Sequence, residues 1–171
     1  VNRPELRYLP FRAGIPKGLE KTEGLFDAVS KKDRILFTPY QSFDALVNFL
    51  KAAGEDENVK EIFMTLYRLG SKSPVVEALI KAAEAGKKVT AVIELKASFD
   101  EERNFLWSEK LKTAGVDVIF GVPELKTHAK CCLVARTEKD KTKYYATVST
   151  GNYNESTARI YSNLSLFTAE E

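Results

Sequence analysis

Between residues 34 and 120 the apolar residues alternate between a period of two and a period near 3.6. That alternation limits the possible folds more than any other feature of the chain. Arg34-Ile35-Leu36-Phe37 reads as a strand ending at Pro39. Ser42 then caps a helix with Phe43, Leu46, Val47 and Leu50 on one face. Glu61 to Leu66 returns to a strand. Ser73-Pro74 opens a helix with Val76, Leu79, Ile80 and Ala83 inward, and Gly86 closes it. The run Val89-Thr90-Ala91-Val92-Ile93, inside a strand from Lys88 to Leu95, suits a position covered on both faces. A helix follows from Asp100 to Ala114, ending at Gly115, and then a strand from Val116 to Phe120. Gly24 to Ser30 forms a short helix ahead of the series. Ala129 to Arg136 and Tyr144 to Ser149 form a hairpin around the charged turn Thr137 to Thr142.

Strand and helix in alternation, followed by two strands, specify an α/β fold. The expected sheet is mixed and mostly parallel, flanked by helices. At 171 residues the chain is long enough to bury one core. Residues 1–20, with three prolines and two glycines, read as an extended connector from a preceding domain, and 21–171 as the folded unit. Net charge is only +2, so no global basic signal points to nucleic acid or to a membrane surface. An anion site must therefore come from local clustering. Cys131 and Cys132 are adjacent in a strand and point to opposite faces, which suits core packing in a reducing compartment better than a disulfide or a metal site. No apolar run reaches the ~20 residues of a membrane span, and the polar start lacks the apolar segment of a signal peptide. These features read as cytoplasmic.

In open α/β sheets, ligands bind beyond the carboxyl ends of the parallel strands. Three polar clusters fall there: Thr65-Leu66-Tyr67-Arg68, Glu94-Leu95-Lys96 and the turn Thr150 to Asn154. The chain's one histidine, His128, lies instead at the start of its strand. The start of one antiparallel strand sits beside the end of the next, so this topology brings all four together. Residues i and i+2 of a strand share a face, which aims His128 and Lys130 the same way. A nucleophilic imidazole, a lysine to hold the phosphate it attacks, and a neutral donor from Asn152 make up a phosphoryl-transfer site. Lys96 is placed to face the same site, while Arg68, taken by placement alone, reads as a surface residue after a strand.

Six motifs occur in order: Thr38-Pro39-Tyr40-Gln41-Ser42-Phe43-Asp44, Thr65-Leu66-Tyr67-Arg68, Glu94-Leu95-Lys96-Ala97, Phe99-Asp100-Glu101-Glu102, Leu125-Lys126-Thr127-His128-Ala129-Lys130 and Thr150-Gly151-Asn152-Tyr153-Asn154-Glu155-Ser156-Thr157-Ala158-Arg159. Together they resemble the first catalytic, phospholipase-D-like domain of the long bacterial polyphosphate kinases. The resemblance implies reversible transfer of the terminal phosphate of ATP to polyphosphate through a phosphohistidine at His128, with Lys130 beside it. It implies an arginine of the Mg-ATP phosphate site at Arg68, which is not itself a chemical ligand for Mg²⁺, and a nucleotide-contacting tyrosine at Tyr161. It further implies a second phospholipase-D-like domain, N-terminal and helical domains, a homo-oligomeric parent and membrane association of that parent. The isolated chain is expected to be inactive.

The sequence departs from the family pattern at Ser98, where an arginine of the phosphate site is expected; serine supplies neither the charge nor the fork of a guanidinium. Thr38 stands where a histidine is common, and Ser149 precedes the Thr-Gly-Asn turn. The phospholipase D motif carries an aspartate five residues after its lysine, and here that place is Ala135. This argues against phosphodiester hydrolysis. The competing readings are a phosphodiesterase or nuclease formed by domain pairing, and a polyanion-binding module without chemistry.

Overall fold

The computed structural model describes residues 3–6, 11–94, 101–122 and 124–169, without the side chains of Glu101 and Arg103. In chain order the elements are α1 (Leu25–Lys31), β1 (Arg34–Thr38), α2 (Asp44–Glu55), β2 (Val59–Leu66), α3 (Pro74–Glu84), β3 (Lys88–Ile93), α4 (Glu101–Thr113), β4 (Asp117–Phe120), β5 (Cys131–Glu138), β6 (Lys141–Ser149) and β7 (Asn163–Ala169). Local signals account for most of these boundaries. The Ser73 hydroxyl accepts the Val76 N–H at 3.3 Å, and Pro74 starts α3. Ser42 accepts the Asp44 N–H at 3.2 Å ahead of α2. Gly86 and Gly115 follow α3 and α4 at φ of 85° each, a conformation that costs a side chain about 1–2 kcal/mol.

The strands form one seven-stranded sheet in the order β1-β7-β6-β5-β2-β3-β4. Ladders β2–β3 and β3–β4 are parallel, and the remaining four are antiparallel. Five of the seven strands still run the same way, with β5 and β7 reversed. The sheet is thus mostly parallel in strand direction but not in its hydrogen-bonded pairs. β7 is the reason. The sequence reading ended on two strands, and the third inserts between the first strand and β6.

Helices pack against one face of the sheet. Phe26 of α1 meets Tyr145 edge to face at 4.7 Å, Phe49 of α2 meets Phe167 at 5.5 Å, and the two phenylalanines meet each other at 5.7 Å between centroids. Leu79 of α3 and Leu111 of α4 continue the core past Ile62, Ala91 and Ile93. Burying each such side chain contributes about 1.5–3 kcal/mol. On the other face Ile35, Phe37, Leu133, Val148, Leu164 and Leu166 are exposed. Residues 1–20 were expected as a connector, yet Leu19 is fully buried, and the Asn48 amide donates to the carbonyls of Leu19 and Glu20 at 3.0 and 2.9 Å. No helix among the described residues is long and apolar enough to cross a membrane.

Candidate active site

β2, β3 and β6 finish at the same edge of the sheet, and the chain enters β5 beside them. Tyr67 and Arg68 follow β2 directly, and Glu94 follows β3. The Asn104 side chain of α4, fully buried, donates to the carbonyls of Tyr67 at 2.8 Å and Glu94 at 3.1 Å. One amide therefore fixes two strand ends. Trp107, a helical turn further on, donates its indole N–H to the Gly70 carbonyl at 2.9 Å. The loop carrying Arg68 is thus anchored from beneath.

His128 and Lys130 do not lie in a strand, contrary to the sequence reading, because β5 begins at Cys131. Side-chain hydrogen bonds replace the ladder there. The Thr65 hydroxyl donates to the Ala129 carbonyl at 2.7 Å and accepts the Cys131 N–H at 3.0 Å. The Lys130 carbonyl accepts the Ser149 N–H at 2.8 Å and lies 3.0 Å from the Tyr153 hydroxyl. Upstream, the buried Glu94 carboxylate accepts the Thr127 N–H at 2.8 Å. The histidine loop is held on both sides by groups from β2, β3 and the turn after β6.

The Tyr67 ring is the centre of the cluster. The His128 imidazole meets it edge to face, with centroids 4.9 Å apart and planes at 82°. Lys130 Nζ lies 4.9 Å from the ring centroid, Lys126 Nζ 5.7 Å and Arg68 Cζ 6.0 Å. Lys130 is buried and donates to the His128 carbonyl at 2.6 Å. Desolvation, and after it the positive charge of Arg68, push its pKa down. A chain of net charge +2 therefore concentrates three cations and an imidazole about one aromatic ring. Three cations gathered at one place, with Lys130 among them desolvated, favour an anion.

Asn152 sits in the turn after β6, its buried amide oxygen making no hydrogen bond among the described residues. That turn is tied to the arginine loop, since Asn154 donates to the Arg68 carbonyl at 3.4 Å. A β-carbon on Gly151 would run into the Asn163 side chain, so any larger residue at that step of the Thr-Gly-Asn turn requires Asn163 to move. Tyr161 is 62% exposed, and its ring makes no ring contact among the described residues. Lys96 and Ser98 lie outside the described residues. Cys132 is buried, as expected of a core residue, while Cys131 lies half-buried against Thr65. Ala135 is buried in β5. Tyr67, Glu94, Asn104 and Tyr153 were not named as site residues from sequence. Tyr67 and Glu94 stood inside quoted motifs, but Asn104 gave no signal because its role depends on α4 crossing two strand ends.

No group of three His, Cys, Asp or Glu side chains among the described residues is arranged to hold a metal ion. The donor set agrees. Mg²⁺ takes hard oxygen ligands; the Glu94 carboxylate is engaged by the Thr127 N–H, and the side chains about Tyr67 are ammonium, guanidinium and imidazole. The cations fit an anion such as phosphate, and a metal accompanying that anion would be carried by its oxygens.

A model of the family described as polyphosphate kinase C-terminal domain 1 matches residues 24–171. The polyphosphate kinase of Pseudomonas aeruginosa is 47% identical over 169 residues, covering 99% of this chain and 24% of that protein. Polyphosphate kinase 1 of Chlorobaculum tepidum is 45% identical over 174 residues, with 100% and 24% covered. The chain thus spans about a quarter of the length of the curated relatives it matches. Among solved structures, the crystal structure of polyphosphate kinase from Porphyromonas gingivalis aligns with a TM-score of 0.82 at 38% identity, over 98% of this chain and 28% of that one. Nuc, a phospholipase D family member from Salmonella typhimurium, aligns with a TM-score of 0.61 over 80% of this chain and 81% of its own; at 16% identity it shows a shared fold alone.

Proposed function

The chain belongs to the polyphosphate kinase C-terminal domain 1 family, and from that premise we propose that it carries the phosphate-accepting half of a polyphosphate kinase. The observation that carries this reading is the cluster about Tyr67. It sets one exposed imidazole against Lys126, Lys130 and Arg68. Phosphoryl transfer needs little covalent help; positioning and charge neutralisation dominate.

In the proposed reaction a ring nitrogen of neutral His128 attacks the γ-phosphorus of ATP. The N–P bond forms as the bond to the bridging oxygen breaks, and ADP leaves. A terminal oxygen of polyphosphate then attacks the same phosphorus, the N–P bond breaks, and the chain grows by one unit. Both steps run in reverse. Lys130 and Arg68 neutralise non-bridging oxygens, and Asn152 donates a neutral hydrogen bond once its amide is turned. Tyr161, exposed near the same turn, contacts the nucleotide. Mg²⁺ arriving with ATP supplies further charge neutralisation.

A second phospholipase-D-like half supplies the facing wall in this reading. Well-oriented sites reach effective molarities of ~10⁵ M or more, so loss of one wall removes most of the acceleration. A full-length protein containing this chain is expected to make polyphosphate from ATP. His128→Ala is expected to abolish synthesis, and the 171-residue chain alone to make none at a useful rate. Synthesis surviving His128→Ala, or turnover of a chromogenic phosphodiester lost in that variant, contradicts the proposal; the second result favours a hydrolase.

A further inference from the structure

The loop backbone around His128 is well held, but the imidazole is not held by hydrogen bonds. Among the described residues neither ring nitrogen has a hydrogen-bond partner, and the ring contact it makes is with Tyr67. We propose that Tyr67 is the positioning residue of this site: its ring fixes the plane of the His128 imidazole and gathers Lys126, Lys130 and Arg68 into one anion-binding cluster. The inference deepens the proposed function, and its kinetic consequence rests on that reading.

Three observations carry it. First, Tyr67 is itself immobilised. It follows β2, which is paired on both sides by β3 and β5, and its carbonyl is held by the buried Asn104. A ring on such a backbone is a fixed reference for a side chain on a loop. Second, the contact with His128 is nearly perpendicular, at 82°. Edge-to-face rings are held by the attraction of a positive edge to a negative face. Rotating the imidazole out of that plane breaks the contact, so one ring plane is selected for the attack. Third, three cations lie within 6.0 Å of the ring centroid. Like charges repel, and the negative faces of the ring offset part of that repulsion. The cluster is thereby assembled before phosphate arrives.

The Tyr67 hydroxyl makes no hydrogen bond among the described residues, so the ring is the acting part. Phenylalanine should replace it and an aliphatic residue should not. His128 is the chain's one histidine, and its imidazole proton resonances therefore stand alone. The test compares wild type, Tyr67→Phe and Tyr67→Leu in the full chain. Fluorescence of the one tryptophan, Trp107, which is buried, monitors folding. Should Tyr67→Leu unfold, Tyr67→Met takes its place.

In Tyr67→Leu the His128 resonances are expected to move toward those of free histidine. The dissociation constant for tripolyphosphate is expected to rise roughly three- to tenfold. Tyr67→Phe should match wild type in both. In the full-length protein the rate of label transfer from ATP to His128 should fall in Tyr67→Leu and recover in Tyr67→Phe. Unmoved His128 resonances in Tyr67→Leu, unchanged tripolyphosphate affinity, or a phenylalanine variant as impaired as the leucine one would each overturn the inference. A wild-type protein that shows the ring contact and binds tripolyphosphate, yet takes no phosphate from ATP, contradicts the phosphohistidine reading and still supports Tyr67 as the positioning residue.

Discussion

Lys130 shows how function and stability oppose each other at one residue. It is buried, with desolvation and then Arg68 lowering its pKa, and no carboxylate partner is seen among the described residues. A lysine whose folded pKa lies below its unfolded value, about 10.4, penalises the fold while charged. The penalty is full at neutral pH and fades as pH rises through the folded-state value. Lys130→Met, similar in length and uncharged, is therefore expected to raise the thermal midpoint at pH 7 by about 2–4 °C. The gain should shrink at pH 10. The same variant should weaken tripolyphosphate binding roughly tenfold or more, the worth of one charge-assisted contact. Thermal melts at the two pH values with a binding titration check this; an unchanged midpoint with intact binding would place Lys130 outside the site. At this scale the sequence offered the candidate groups that the fold brings together, because imidazole, ammonium and guanidinium are legible as chemistry. It did not reveal Tyr67 or Glu94 as supports, because an aromatic ring and a buried carboxylate acquire their roles from neighbours distant in the chain.

Among the elements, the end of the sheet away from the site is stapled by Arg136 of β5. It donates to Asp56 just past α2 at 2.8 Å and to Glu138 at 2.7 Å, and the Tyr145 hydroxyl of β6 donates to the same Glu138 oxygen at 2.5 Å. Burial works against each charge. The Arg136 ion pair and the Asn58 N–H still hold Asp56 below the usual carboxylate range, and Tyr145 with Arg136 does the same for Glu138. Burial and the Glu138 carboxylate push the Tyr145 phenol up to about 12. Depressed carboxylates contribute stability that is present above about pH 4 and lost as pH falls through their folded values. Arg136→Met should cost about 2 kcal/mol at neutral pH. That deficit should narrow toward pH 3, as the carboxylates of the wild type begin to protonate through their lowered folded values. Urea unfolding at the two pH values measures it, and an equal deficit at both would assign the effect to packing.

The same scale shows which elements the sequence made legible. α2, α3, β2 and β3 were read with small boundary errors, because capping and periodicity agree there. β5 was begun too early. Thr65, Ser149 and Tyr153 take up the backbone groups of Ala129, Lys130 and Cys131 that a ladder would otherwise use. β7 was missed because its pattern runs against the usual one: Leu164 and Leu166 face outward while Ser165 is buried. Its partners, β1 and β6, come from opposite ends of the chain. The hairpin turn was expected as six residues from Thr137 to Thr142. The pairing of Glu138 with Lys141 leaves only Lys139 and Asp140, both at positive φ, which is the tight turn that matches strand twist.

For the whole molecule, the fold brings the polar ends of β2, β3 and β6 to the loop before β5, as the topology argument expected. It leaves an apolar sheet face exposed elsewhere. Everything proposed about activity turns on one atom-level event, transfer of phosphate from ATP to the His128 ring. Its most direct measurement is incubation of the full-length protein with γ-labelled ATP, followed by acid and base treatment and mapping of the labelled peptide. The account predicts label on the peptide containing His128, lost in acid, kept in base and absent in His128→Ala. Acid-stable label, or label that survives His128→Ala, would contradict it.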